Sequence, residues 1–180
     1  MNVETEEEII KRISEKDMRM LGVLYEKYKT ILFNHFMRVT LDYDTSNDLL
    51  METFVRIDKY SHTFKGGFKT RSWIYQISNN LIKDHFKKIK RSYTSIHFQA
   101  VDEEQTNIVL PIEIAQRDEL LYCAISKLSP SERNIISMYY LLEMSYEDIA
   151  NVENITINNA RIKTCRGLKK LNKLLKHSEI

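Results

Sequence analysis

Glycine and proline are scarce: the 180 residues hold four of the first and two of the second. Strands joined by tight turns draw on both, so the scarcity argues against a sheet-built fold and for an all-α one. No apolar run of the roughly 18 residues that a span requires is present, and no signal-peptide pattern, so a soluble, cytoplasmic chain without membrane insertion is expected. The two cysteines, Cys123 and Cys165, make no metal-ligand pattern and suit a reducing compartment that keeps them as thiols. His35, His62, His85, His97 and His177 form no ligand spacing either. With no Gly-rich phosphate loop and no nucleophile–base motif, there is no catalytic residue, metal or cofactor to nominate, and an enzyme is not expected.

What is abundant is charge, unevenly spread. The net value of +2 conceals two basic blocks with acidic sequence around them. Lys59 to Arg91 holds nine Lys/Arg against one acid, Asp84, with Tyr60, Phe64, Phe68, Trp73, Tyr75 and Phe86 interleaved. Arg161 to Lys176 holds seven Lys/Arg and no acid. Aromatics among cations suit unpaired bases, whose flat faces stack. A cationic helix closing a helix-turn-helix suits a duplex major groove. A solvated helix face explains one basic run as well as nucleic acid does; two runs, each with its own motif, favour nucleic acid.

Helix starts are marked along the chain. Thr5 with Glu8 has capping-box spacing, and Asp17 opens a helix whose apolar stripe is Leu21, Leu24, Tyr25, Tyr28, Ile31, Leu32, Phe36 and Val39. Thr45 with Asp48 is read as the cap of the next helix, with Leu49, Leu50, Thr53, Phe54 and Ile57 on its inner face. Gly66-Gly67 break the loop that follows. Thr70 is read as the cap of a fourth helix with Trp73, Ile74, Ile77, Leu81, Ile82 and Phe86 inward. These helices make a first domain, residues 1–91. Residues 92–113 lose the helical period and read as a linker between separately packed modules. Residues 114–180 form the second domain, with Ser129-Pro130-Ser131-Glu132, Ser145 and Thr156 as successive helix starts and Cys123 in its core.

Ser145 to Leu171 has the layout of a helix-turn-helix. Ala150 is small where two helices must cross, Glu153-Asn154 makes the turn, and Ile155 plugs the corner. Tyr146 and the start of the last helix, Asn158, Asn159, Arg161, Ile162, Lys163, Cys165 and Arg166, are the candidates for duplex contact. Arg can fork onto guanine and Asn onto adenine, about 1–3 kcal/mol of discrimination for each good pair. Lys169, Lys170, Lys173 and Lys176 lie further along, suited to phosphates or solvent.

Two longer motifs carry a resemblance. Asp48-Leu49-Leu50-Met51-Glu52-Thr53-Phe54, followed by Trp73-Ile74-Tyr75-Gln76-Ile77-Ser78-Asn79-Asn80 and Asp84, resembles region two of the bacterial RNA polymerase sigma factors of the extracytoplasmic-function subgroup. Leu128-Ser129-Pro130-Ser131-Glu132-Arg133 and Ser145-Tyr146-Glu147-Asp148-Ile149-Ala150 resemble their region four. Met51 stands where that family usually has Gln. The resemblance implies two helical domains and a monomer that binds core RNA polymerase and promoter DNA, with an anti-sigma factor as a further possible partner. Asp48, Leu49 and Glu52 would meet the clamp coiled coil of the polymerase's largest subunit. His62, Phe64, Lys65, Phe68, Tyr75, Asn79, Asn80, Lys83, Lys87 and Lys88 would face the single-stranded −10 element, and the helix-turn-helix would read the −35 element as duplex. The competing reading is a stand-alone helix-turn-helix regulator that dimerises through residues 1–91, which would have no use for the aromatic, cationic block.

Overall fold

A computed structural model describes residues 5–66, 70–96 and 116–176, and every regular element among them is helical. The first is α1, Glu6–Ser14. Thr5 and Glu8 make the expected reciprocal cap, three glutamates favour the positive end of the helix dipole, and Ile9, Ile10 and Ile13 go inward. Asp17 caps α2, Met18–Thr40. Its carboxylate also accepts from Arg19 at 3.0 Å and Arg12 at 2.6 Å, bonds that hold it down at about 2. The stripe predicted for α2 buries Leu24, Tyr28, Leu32, Phe36 and Val39, and His35 with them.

α3 spans Tyr43–Tyr60, and its start differs from the sequence reading. Asp42 is the cap, its carboxylate accepting the Thr45 amide at 2.7 Å, so Thr45 lies in the first turn. Leu49, Leu50, Thr53, Phe54 and Ile57 are buried as expected. A 3-10 turn, Ser61–Thr63, leads into Gly66, whose φ of +66° suits glycine. A Cβ there would stand 2.5 Å from the Glu7 carboxylate, so the loop lies tight against α1.

α4, Thr70–Ile96, runs five residues into the span read as linker. Ser, Tyr and Thr are middling helix formers that each cost only a few tenths of a kcal/mol, and nothing in Ser92 to Ile96 breaks a helix already nucleated. The remainder of that span lies outside the described residues. Then come α5, Gln116–Ser126, α6, Pro130–Tyr140, α7, Tyr146–Glu153, and α8, Ile157–Lys176. Ser129 makes a full capping box with Glu132, and Ser145 accepts from the Asp148 amide. Asn154, left-handed at φ 56°, turns the chain between α7 and α8, and Thr156 accepts from the Asn159 amide at 3.2 Å.

The two sets of helices do not stand apart. One buried apolar cluster runs from Ile9 to Leu171, with α2 packed on both α3 and α6, and α4 on both α3 and α7. Cys123, expected in the core, is exposed. The inward face of α5 and the turn after it belongs to Ala124, Ile125 and Leu128, which rotates position 123 outward.

Candidate nucleic-acid interface

In the helix-turn-helix, α8 buries Ala160, Thr164, Gly167 and Leu171 at three- and four-residue steps. Gly167 sits where α8 crosses α6; a Cβ there would meet Ile136 Cδ1 at 3.0 Å. That register turns Asn158, Asn159, Arg161, Ile162, Lys163, Cys165 and Arg166 to solvent, all of them exposed. Tyr146, at the start of α7, stacks on Tyr139 with ring centres 4.9 Å apart. The Arg161 guanidinium lies over the Tyr146 ring, 5.5 Å from its centroid. A cation over a tyrosine face gains about 0.5–1 kcal/mol at an exposed site and is held in one place. The candidates on α8 and Tyr146 therefore form one continuous surface.

The cationic helix α4 is arranged differently. His62, Lys65, Asn80, Lys87 and Lys88 are exposed and Phe64 is half-buried, its ring 5.4 Å from that of Trp73. Phe68 lies outside the described residues. Two other candidates are not on the surface: Asn79 is 0% and Tyr75 2% exposed. Asn79 donates to the Val152 carbonyl at 3.1 Å and accepts from Asn134 at 2.7 Å. Tyr75 lies edge-on to Tyr28 and accepts from Arg71 Nε at 3.0 Å, while Arg71 NH2 donates to the Leu142 carbonyl at 2.7 Å. Ser72 donates to Asp148 at 3.1 Å, and Lys83 pairs with Glu153 at 3.3 Å. Positions 72, 75, 79 and 83 share one face of α4, and α7 with its flanks covers it. In this arrangement, then, Asn79 serves the contact between the two halves and Tyr75 holds Arg71, which reaches Leu142, so neither of these two −10 candidates is exposed to a strand.

Residues 24–92 match Sigma-70 region 2 and residues 118–171 match Sigma-70, region 4, together well over half of the chain. The chain is a Sigma-70 family sigma factor. Among curated relatives, the ECF RNA polymerase sigma factor SigM of Bacillus subtilis (strain 168) is 25% identical over 151 residues, covering 84% of this chain and 92% of SigM. SigX of the same organism is 24% identical over 157 residues, covering 84% and 81%. These relatives and the motifs in regions 2 and 4 set the chain in the extracytoplasmic-function subgroup. Its fold is that of the sigma factor RpoE, solved with the anti-sigma factor NepR from Bartonella quintana: TM-score 0.70, 18% identity, 85% of this chain and 96% of that one. CnrH, solved with the cytosolic domain of CnrY, gives 0.71 at 16% identity, covering 97% and 99%.

Region 2 of this sigma factor presents a further surface. On α3, Asp48 and Glu52 are exposed while Leu49 is buried, so Leu49 supports the helix from beneath. Between and beyond the two acids stand Met51 and Val55, each 57% exposed, on the outward stripe 48, 51, 52, 55. The sequence reading notes Met51 only as a departure from the family motif and does not name Val55. The signal available was two apolar side chains at helical spacing on the face opposite Thr53 and Ile57. Asp84 lies 3.4 Å from Arg56, which also binds Glu52 at 3.1 Å. Among the described residues no helix is long and apolar enough to cross a membrane.

Proposed function

We propose that this sigma factor binds core RNA polymerase and directs it to promoters by reading a −35 element through α8 and a −10 element through α4 and the loop before it, promoting strand opening. The observation that carries this is the helix-turn-helix surface. The first turns of α8 hold Asn158, Asn159, Arg161, Lys163 and Arg166 in solvent, in a chain whose α4 adds a second cationic face. The stripe of Asp48, Met51, Glu52 and Val55 suits the clamp coiled coil of the polymerase's largest subunit: an apolar strip bordered by acids fits a basic, amphipathic partner. Leu49, buried, acts there only as support.

The same reading requires that α4 and α7 part. Tyr75, Asn79 and the covered side of Lys83 reach a DNA strand only when the module contact opens, and core polymerase is the partner that would hold the two regions apart. A protein that binds the closed arrangement would keep the factor silent, the role proposed here for an anti-sigma factor. The test is run-off transcription with core polymerase and a promoter mapped from start sites after overproduction of the factor. Promoter-dependent transcripts and a melted −10 region are expected. Specific operator binding by a dimer of the chain alone, with no effect on core polymerase, would establish the regulator instead.

A further inference from the structure

A groove of about 430 Å³ opens between the two regions, walled by α2, α5, α6 and α8. Its floor is aliphatic, with Leu121, Ile125, Ile136 and Leu171 among the lining side chains. Two guanidiniums also line it, Arg38 from region 2 and Arg133 from region 4. Arg133 is only 8% exposed, and its Nε finds no acceptor. Among the described residues no carboxylate lies within ion-pairing distance of either arginine; Arg38 has a single long contact, to the Asn34 carbonyl at 3.5 Å. Asp42, whose charge is felt at the Tyr122 hydroxyl, is engaged with the Thr45 amide. The Tyr122 hydroxyl is likewise buried without a partner and feels both guanidiniums.

Such an arrangement is costly as it stands. A buried guanidinium nitrogen without an acceptor forfeits hydration that the fold does not return, and the unpartnered Tyr122 hydroxyl adds to that cost. The chemistry that satisfies the two guanidiniums is an anion at the arginine end with a hydrocarbon body along the aliphatic wall. The volume lies within the range of small-molecule sites, roughly 300–1,000 Å³, and the groove is longer than an inorganic anion needs.

We propose that this groove binds a small amphiphile with one anionic head, a carboxylate or phosphate monoester on an unbranched aliphatic tail, the head between Arg38 and Arg133 and the tail against Leu121, Ile125 and Leu171. Because Arg38 belongs to α2 and the rest to region 4, an occupied groove ties the two regions together and favours the closed arrangement. The proposal stands apart from promoter recognition, and its test uses neither polymerase nor DNA.

The probe is laurate, titrated calorimetrically into the full chain below its micelle-forming concentration, with dodecanol and dodecyl phosphate as companions. Saturable one-to-one binding of laurate is expected, at least tenfold tighter than dodecanol. Tighter binding of dodecyl phosphate than laurate would assign a phosphate head, the reverse a fatty acid. Arg133→Leu, checked for unchanged helical content and thermal midpoint, should weaken laurate at least tenfold, and Arg38→Gln, at a partly exposed position, should weaken it without that risk to folding. Hydrogen exchange in α2 and α6 should slow when laurate is bound. Equal affinity for laurate and dodecanol, non-saturable uptake, unchanged affinity in both arginine variants, or binding of an acidic amphipathic peptide with none of laurate would each overturn the proposal.

Discussion

Asn79 of α4 and Asn134 of α6 meet through one hydrogen bond of 2.7 Å, buried between region 2 and region 4. The Asn134 amide also reaches the Glu153 carboxylate at 2.9 Å, and Asn79 satisfies the Val152 carbonyl at the end of α7. Each side chain therefore belongs to both halves of the molecule.

Asn134→Ala removes this crossing while leaving every residue assigned to DNA, Asn79 included, in place. It leaves the Asn79 carbonyl oxygen buried without a donor, a loss of about 1–3 kcal/mol. Urea denaturation should show a lower midpoint, and hydrogen exchange should quicken in α7 ahead of α3. A midpoint within a few tenths of a kcal/mol of the unaltered protein would show that the apolar packing of α2 on α6 alone holds the halves together.

His35 gives the contact a pH dependence. Its ring is fully buried in α2, with Nδ1 2.8 Å from Ser137 Oγ of α6. Burial, helped by the nearby Arg38 charge, depresses it to about 3. The folded protein therefore keeps it neutral while the unfolded chain protonates near 6.5. Stability from this group is complete above about pH 6.5 and declines by about 1.4 kcal/mol for each pH unit below it, until the folded value is reached. Unfolding free energies from urea titrations at pH 7.5 and 5.0 should differ by about 2 kcal/mol, and His35→Leu should flatten the difference even though it strands the Ser137 hydroxyl. Asp17 acts in a separate window: its depressed carboxyl supports stability above its ordinary value near 4 and withdraws that support only as pH falls toward 2.

Met51→Asp and Val55→Asp test the α3 stripe. Both side chains point to solvent, so each substitution should change the thermal midpoint little, by an amount equivalent to about 0.5 kcal/mol or less. Co-purification with core polymerase should nonetheless fall at least tenfold, with circular dichroism unaltered. Full retention of polymerase binding by the double variant would remove α3 from the proposed contact.

Arg161→Ala tests α8. The Tyr146 ring holds the guanidinium ready, so its loss should weaken duplex binding by about 1–3 kcal/mol and do so unequally across promoter variants. Lys169→Ala should weaken all sequences alike and reduce the salt dependence of binding by about one counterion. Fluorescence anisotropy over a salt series separates the two outcomes.

Which parts of this were legible in the sequence follows from the range of the interactions. Thr5, Ser129 and Ser145 announce their helices because a cap is settled within four residues. Asp42 was passed over for Thr45 because either oxygen could cap and only the backbone decides. The inner face of α2 follows from its period, yet His35 sits fully within that face, where a histidine alone gives no sign of Ser137 waiting 102 residues later. Asn79 is the clearest case. A polar residue in mid-helix signals that something demands it, and the demand here is the Val152 carbonyl across the molecule. No local pattern names a partner that distant.

α7 is committed to α4, while the opening turns of α8 stay uncovered. Of the two surfaces proposed for DNA, the one on α8 would therefore stand ready from the start, while the part of the α4 surface around Asn79 would wait for the halves to separate. On the proposed reading, a molecule built this way would locate its target first and gain licence to open it afterwards, its timing set by the parting of α4 from α7 as much as by a recognition sequence.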